Sequence, residues 1–295
     1  MSTLTATQQV QDAVYALAHA ESYVYAARLT GLYRSADDGQ TWQPLLESFD
    51  QPLAVTAVAA AGSRVFAGVN GAVLRSEDHG ETWQTIGLAS PPPQVAALVL
   101  SPTFASDGMA VAGTVEDGVF ISEDFGETWV AWNFGLLDKH IYTVAVSPDF
   151  RNDQILYAGT ESGIFRSHNG GRGWREVPFP MEYAPVVSLV ISSDAPSLLY
   201  AGTESAGLFI STDGGITWVS CPAIAPDAAV NSLQIEDGPT PGLWILLDDR
   251  LLFSADRGQT LATARPLPPQ QRALCFSVQD LAIVGFADGM ITRIG

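Results

Sequence analysis

The sequence predicts an all-β fold, a single seven-bladed β-propeller domain over residues 1–295, and three observations carry that prediction. A short turn motif returns six times, with its serines spaced by 41, 46, 45, 44 and 43 residues. Each interval holds the same set of short β-rich runs, and the chain ends on an incomplete seventh set. Self-similarity at a period of roughly 20 to 50 residues marks a repeat architecture, and four short strands per unit mark a propeller blade. No segment sustains a helical apolar period, so essentially no helix is expected and a helical solenoid is excluded.

Taken in order, Thr3-Leu4-Thr5-Ala6-Thr7-Gln8 precedes the first inner strand, Val14-Tyr15-Ala16-Leu17-Ala18, and has no blade of its own. The second unit shows the full pattern. Val55-Thr56-Ala57-Val58-Ala59 is followed by Val65-Phe66-Ala67-Gly68, and then by Val73-Leu74-Arg75, which runs into the turn motif. The tryptophan that ends the motif opens a fourth strand. After the sixth motif come Ala273-Leu274-Cys275-Phe276-Ser277, Leu281-Ala282-Ile283-Val284-Gly285 and Met290-Ile291-Thr292-Arg293, the first three strands of a seventh repeat. An N-terminal strand completing that last blade removes both free sheet edges, so closure by the N-terminal strand is expected.

The motif itself is mechanical. Its copies are Ser35, Asp37, Gly39 and Trp42; Ser76, Asp78, Gly80 and Trp83; Ser122, Asp124, Gly126 and Trp129; and Ser211, Asp213, Gly215 and Trp218. Two copies have decayed: Ser167, Asn169, Gly171 and Trp174, and Ser254, Asp256 and Gly258, where Leu261 replaces the tryptophan. Serine and aspartate side chains hydrogen-bond to the backbone of a tight turn, and glycine supplies the positive φ that such a turn wants. The tryptophan has the area to seal the gap to a neighbouring blade, so these residues read as structural.

The inner strands align. Their third positions, Ala16, Ala57, Ala97, Thr143, Ser188, Ser232 and Cys275, are small, and their fourth, Leu17, Val58, Leu98, Val144, Leu189, Leu233 and Phe276, are large and apolar. Blades taper toward the propeller axis, which demands a small residue there. Cys275 is thus expected to be a small buried residue rather than a nucleophile.

Composition narrows the function. Fourteen Lys and Arg face 32 Asp and Glu, for a net charge of −18, and Lys139 is the only lysine. Such a surface repels phosphate, which excludes general nucleic-acid binding and docking on anionic lipid. Two cysteines make neither a disulfide framework nor a metal cluster, and His19, His79, His140 and His168 share no metal-ligand spacing, so no metal or other cofactor is expected. The first residues lack a basic and apolar leader pattern, and no apolar run is long enough to span a bilayer. The expectation is a monomeric cytoplasmic protein.

The repeated turns resemble the Asp-box, or bacterial neuraminidase repeat, of a large propeller superfamily that includes sialidases, two-propeller xyloglucanases, sortilin-type receptors and photosystem II assembly factors. Ser147-Pro148-Asp149-Phe150 and the run from Tyr157 to Ser167 look like repeat units of that group. The resemblance implies that the Asp-box turns share one face and that functional sites lie on the other, around the mouth of the central channel.

On that mouth the turns between second and third strands bring Arg28, Asn70, Glu116, Asp117, Glu161, Glu204, Asp248 to Arg250, and Asp288. The residues entering the inner strands add Asp12, Gln94, Lys139, His140 and Arg272. Arg28, Arg250 and Arg272 come from contiguous blades and are rare cations in an acidic chain. Either they grip an anionic group through bidentate guanidinium contacts, or each pairs with a nearby carboxylate such as Asp249 or Asp288. Tyr15 and Tyr142, second in their inner strands, supply flat walls or pack in the core. The candidate ligand-binding set is Arg28, His140, Arg250, Arg272, Tyr15, Tyr142, Glu161 and Glu204, with no catalytic residue assigned.

The sialidase pattern fails on its missing Arg-Ile-Pro motif and on an unassignable tyrosine. The function expected is a non-catalytic binding or assembly scaffold that holds a protein segment or small ligand, anionic in one version, at the channel mouth. The alternatives are a glycan-active enzyme, hydrolase or lyase, with carboxylates in the mouth, and a light-apparatus assembly factor.

Overall fold

In a computed structural model of the chain, seven antiparallel sheets stand around a central axis; the structure describes residues 12–47, 53–89, 91–181, 183–236, 242–279 and 281–294. Six sheets have four strands in simple meander order, and the seventh has three among the described residues, Ala273–Val278, Ala282–Phe286 and Ile291–Ile294. The protein is a seven-bladed all-β propeller. The N-terminal strand expected to complete the seventh blade lies outside the described residues.

The inner strands are Val14–Ala20, Ala57–Ala61, Gln94–Leu100, Ile141–Val146, Val186–Ile191, Val230–Glu236 and Ala273–Val278. Together they line one central cavity of about 270 Å³. Every small-then-large pair of the sequence alignment, from Ala16 and Leu17 round to Cys275 and Phe276, lines it. The taper therefore sets residue size at the axis, as the pattern predicts.

The core is divided into seven apolar seams, each shared by two adjacent blades. The last seam joins Val14, Leu17 and Ala26 of the first blade to Cys275 and Ile291 of the seventh, so side-chain packing closes the ring among the described residues. Trp42, Trp83, Trp129, Trp174 and Trp218 each pack into the seam with the preceding blade, and Leu261 does so in the sixth.

The six Ser-x-Asp turns show how the motif works. In the first, the Ser35 hydroxyl donates to Asp37 Oδ1 at 2.8 Å and accepts the Gly39 N–H at 2.8 Å. Asp37 in turn accepts the Thr41 N–H at 2.8 Å and the Thr41 hydroxyl at 2.7 Å. These donors hold the carboxyls of Asp37, Asp78 and Asp213 down to about 2. Asn169 keeps the Ser167 and Gly173 bonds with its one side-chain oxygen. At Gly126, with φ +82, an added Cβ meets Phe66 Cε1 at 2.3 Å, so both the turn and the close seam require glycine there.

Three arginines missed by sequence reasoning latch one blade to the next. Each sits immediately before the motif serine and reaches the following blade's turn. Arg34 donates to His79 O at 2.9 Å, Arg75 to Phe125 O at 2.8 Å and Arg166 to Gly214 O at 3.0 Å. The receiving carbonyl belongs in each case to the residue before the turn's second glycine-type position, Gly80, Gly126 or Gly215. The expectation of essentially no helix needs one adjustment. Single helical turns, Phe104–Asp107 and Phe150–Asp153, follow the inner strands of blades three and four. Ser101 and Ser147 donate to Asp107 and Asp153, both at 2.6 Å, and cinch these turns, while Phe104 and Phe150 bury their rings below.

Candidate functional site

A meander fixes which residues share a face. Links into the inner strands and turns between second and third strands fall at one end of the channel, and the Ser-x-Asp turns fall at the other. At the first end, six inner strands carry a β-bulge at the residue just before their small third position. The bulged residues are Tyr15, Ala96, Tyr142, Val187, Asn231 and Leu274. A bulge re-aims the extra side chain, and all but Tyr142 line the central cavity. Of the two tyrosines expected as walls or core, Tyr15 lines the cavity, whereas Tyr142 carries the same bulge without lining it. Tyr15 is partly exposed and Tyr142 half-buried.

The sector of blades four and five is acidic. His140 Nδ1 lies 3.2 Å from Asp138 Oδ1 and 3.5 Å from Glu161 Oε2. Asp138 also accepts the Ser162 N–H at 2.8 Å and the Ser162 hydroxyl at 2.7 Å. Burial works against its charge, yet these bonds and the His140 N–H hold its carboxyl down to about 2. Burial pushes the Tyr142 phenol up, and the carboxylates of Glu161, Glu204 and Asp138 push it further. The structure therefore brings His140 and Glu161 together with Asp138, a member that sequence reasoning missed, while Tyr142 and Glu204 are joined to this set only through the charges that act on the phenol. Nothing in a single sequence marks Asp138, which gains its place through contacts with Ser162.

The three arginines are placed differently. Arg28 Nε lies 3.2 Å from Asp12 Oδ2, its Nη2 donates to Gly289 O, and its guanidinium stands 5.1 Å from the Tyr33 ring centre. Arg250 is bidentate to Asp249, at 2.8 and 2.7 Å. Arg272 Nε contacts Asp248 at 3.2 Å. None of the three lines the central cavity, and each is paired with a carboxylate. Of the two arrangements weighed from the sequence, these contacts correspond to pairing, with Asp12 and Asp248 as partners beside the anticipated Asp249.

Among the described residues no three His, Cys, Asp or Glu side chains gather as a metal-binding group, and no helix is long and apolar enough to cross a membrane. Both cysteines are buried and free. Cys275 lines the channel with its thiol pushed up to about 12 by burial.

Fold and channel define a seven-bladed propeller of the kind the repeated turns resemble. The chain belongs to the family described as the DUF6242 beta propeller domain, whose model matches residues 2–245. It has no match among curated proteins. Among solved structures, it is similar to YCF48 bound to a D1 peptide, at 15% identity and a TM-score of 0.73, covering 97% of this chain and 94% of that one. It is also similar to a GH74 xyloglucanase from Xanthomonas campestris, at 17% identity and a TM-score of 0.76, covering 96% of this chain. An extracellular domain of a one-component system from B. thetaiotaomicron matches at 14% identity and a TM-score of 0.76, covering 97% of this chain. The chain spans 52% of the xyloglucanase and 39% of the extracellular domain. At these identities the likeness is one of fold.

Proposed function

We propose that the chain, one propeller domain from residue 1 to residue 295, is a non-catalytic binding or assembly scaffold that holds a protein segment at its channel mouth. The observation that carries this reading is the ring of bulged side chains, in which Tyr15, Ala96, Val187, Asn231 and Leu274, aromatic, aliphatic and amide groups from five blades, line one opening. Such a wall offers contact area and hydrogen bonds rather than a reacting group. Arg28, Arg250 and Arg272 are engaged by aspartates, which favours a polypeptide over an anionic small molecule. His140, Tyr142, Glu161 and Glu204 form the acidic side of the mouth and suit amide or cationic donors. YCF48, similar over nearly its whole length, is itself seen with a peptide, which supports the same use of this fold.

The reading carries with it a monomeric cytoplasmic protein with no cofactor and no nucleic-acid partner, in keeping with its net charge of −18. It is tested by native co-purification and mass spectrometry of the wild-type chain beside Tyr15→Ala, which alters a residue that lines the cavity. A polypeptide recovered with the wild type and lost with the variant is expected. Release of reducing sugar from a panel of β-glucans by the purified chain would overturn it in favour of a glycan-active enzyme.

A further inference from the structure

Beside the channel mouth lies a second feature that the binding reading does not use. The link before the fourth inner strand and the link after the fourth blade flank the turn Glu161-Ser162-Gly163, and between them runs an open groove of about 450 Å³. That volume falls within the ~300–1,000 Å³ typical of ligand clefts. Its floor includes the buried Phe165 and the partly buried Phe179, whose ring packs 4.9 Å from Phe209 and 5.6 Å from Trp218. The floor is therefore fixed by the seam beneath it.

The rim is apolar and open to solvent. Leu137 is 82% exposed, Tyr183 83% and Met181 42%, so three of the eight large apolar side chains exposed among the described residues gather at this one groove. Isolated apolar residues on a surface need no explanation, but three around a single concavity do. Tyr183 also has φ +55, a backbone region a bulky residue rarely adopts, and it presents its ring outward from there. Asp138 and Glu176 lie in the lining, and Glu161 adjoins Ser162. Lys139 is the one cation in the adjoining link and is outnumbered.

We propose that this groove seats a segment of a partner protein in which cationic side chains flank apolar anchors. The apolar anchors rest on Leu137, Met181 and Tyr183, and the cations meet Asp138 and Glu176. Charge decides between occupants. A second copy of this chain brings another −18, and an anionic membrane repels the same acids, whereas a basic segment is drawn in. The proposal rests on the binding-scaffold reading and moves its contact area from the channel mouth to the neighbouring groove.

The test uses the full chain, immobilised, to select from a phage-displayed random dodecapeptide library. Selected peptides are then measured by fluorescence polarisation against wild type, the pair Leu137→Ser and Tyr183→Ser, Glu176→Gln, and Ile216→Ser as an exposed-residue control on the opposite face. The selected peptides are expected to combine Arg or Lys with Leu, Phe or Trp. The rim pair should weaken binding by about tenfold or more, as loss of central anchors does. Glu176→Gln and salt raised from about 50 to about 500 mM should weaken it further, with Ile216→Ser unchanged. Acidic or charge-neutral consensus peptides overturn the proposal, as does failure to select any peptide. Peptides that survive the rim substitutions but are lost with Tyr15→Ala overturn the groove and leave the channel-mouth reading standing. Concentration-dependent dimers abolished by Tyr183→Ser would assign the groove to a second copy instead.

Discussion

Replacing Arg75 by methionine tests the blade-to-blade latch. Arg75 is 5% exposed, and its guanidinium donates to Phe125 O in the next blade at 2.8 Å, to Gln84 Oε1 at 3.1 Å and to Glu77. Methionine keeps the aliphatic packing and removes every donor. Glu77 is exposed and re-solvates at little cost, so the main loss is the charge-assisted bond to the Phe125 carbonyl. Such bonds contribute ~1.5–3 kcal/mol, and an orphaned partner adds to the deficit, so a loss of about 2–3 kcal/mol is expected. At ~2–4 °C per kcal/mol for chains of this size class, Tm should fall by about 5–10 °C. Arg75→Lys keeps the charge but not the fork and should recover only part of it. Urea titration followed by tryptophan fluorescence reads the change. A loss below about 0.5 kcal/mol, within the range of ordinary surface substitutions, would refute the latch.

Other outcomes follow from the same architecture. Closure of the seventh blade by the N-terminus, the expectation from the repeat pattern, implies that deleting residues 2–9 lowers the melting temperature by several degrees, measured by calorimetry; unchanged melting would sink that expectation. Asp37, Asp78 and Asp213 titrate near 2 in the folded chain against 3.8 unfolded, so the folded state binds fewer protons between those values. Their stabilisation is complete above about pH 4 and drains away as pH falls toward 2, and a pH–Tm profile that is flat across that window would contradict it. Thiol titration should find two reactive groups in denaturant and slow labelling of Cys275 in the native state, since its thiol is buried and pushed up to about 12; fast native labelling would show an open channel wall.

The fold was legible because it is written several times. The spacing of Ser35, Ser76, Ser122, Ser167, Ser211 and Ser254 sets the repeat, and the alternation from Ala16 and Leu17 to Cys275 and Phe276 reports the taper directly. The short helical turns at Phe104 and Phe150 were hidden because one turn is too brief to show a period. The bulges at Tyr15 and Tyr142 leave no trace in a run of apolar residues, since an extra residue changes direction and not composition. Charge counting singled out Arg28, Arg250 and Arg272, but pairing depends on where Asp12, Asp249 and Asp248 come to lie, which only the folded chain decides. Arg34, Arg75 and Arg166 occupy a visible position in the repeat, yet their reach across a seam is a tertiary fact. Leu137 and Tyr183 sit in links that the repeat does not govern, so nothing in the periodicity marks them.

Hydrogen exchange on the full chain, with and without a captured polypeptide, tests most directly whether the channel face is the binding face. Slowed exchange is predicted in Leu137 to Tyr142, Glu161 to Gly163 and Phe179 to Met181, with the Ser-x-Asp turns unchanged. Protection confined to those turns, such as Ser35 to Trp42 and Ser76 to Trp83, would place the partner on the opposite face and contradict the account.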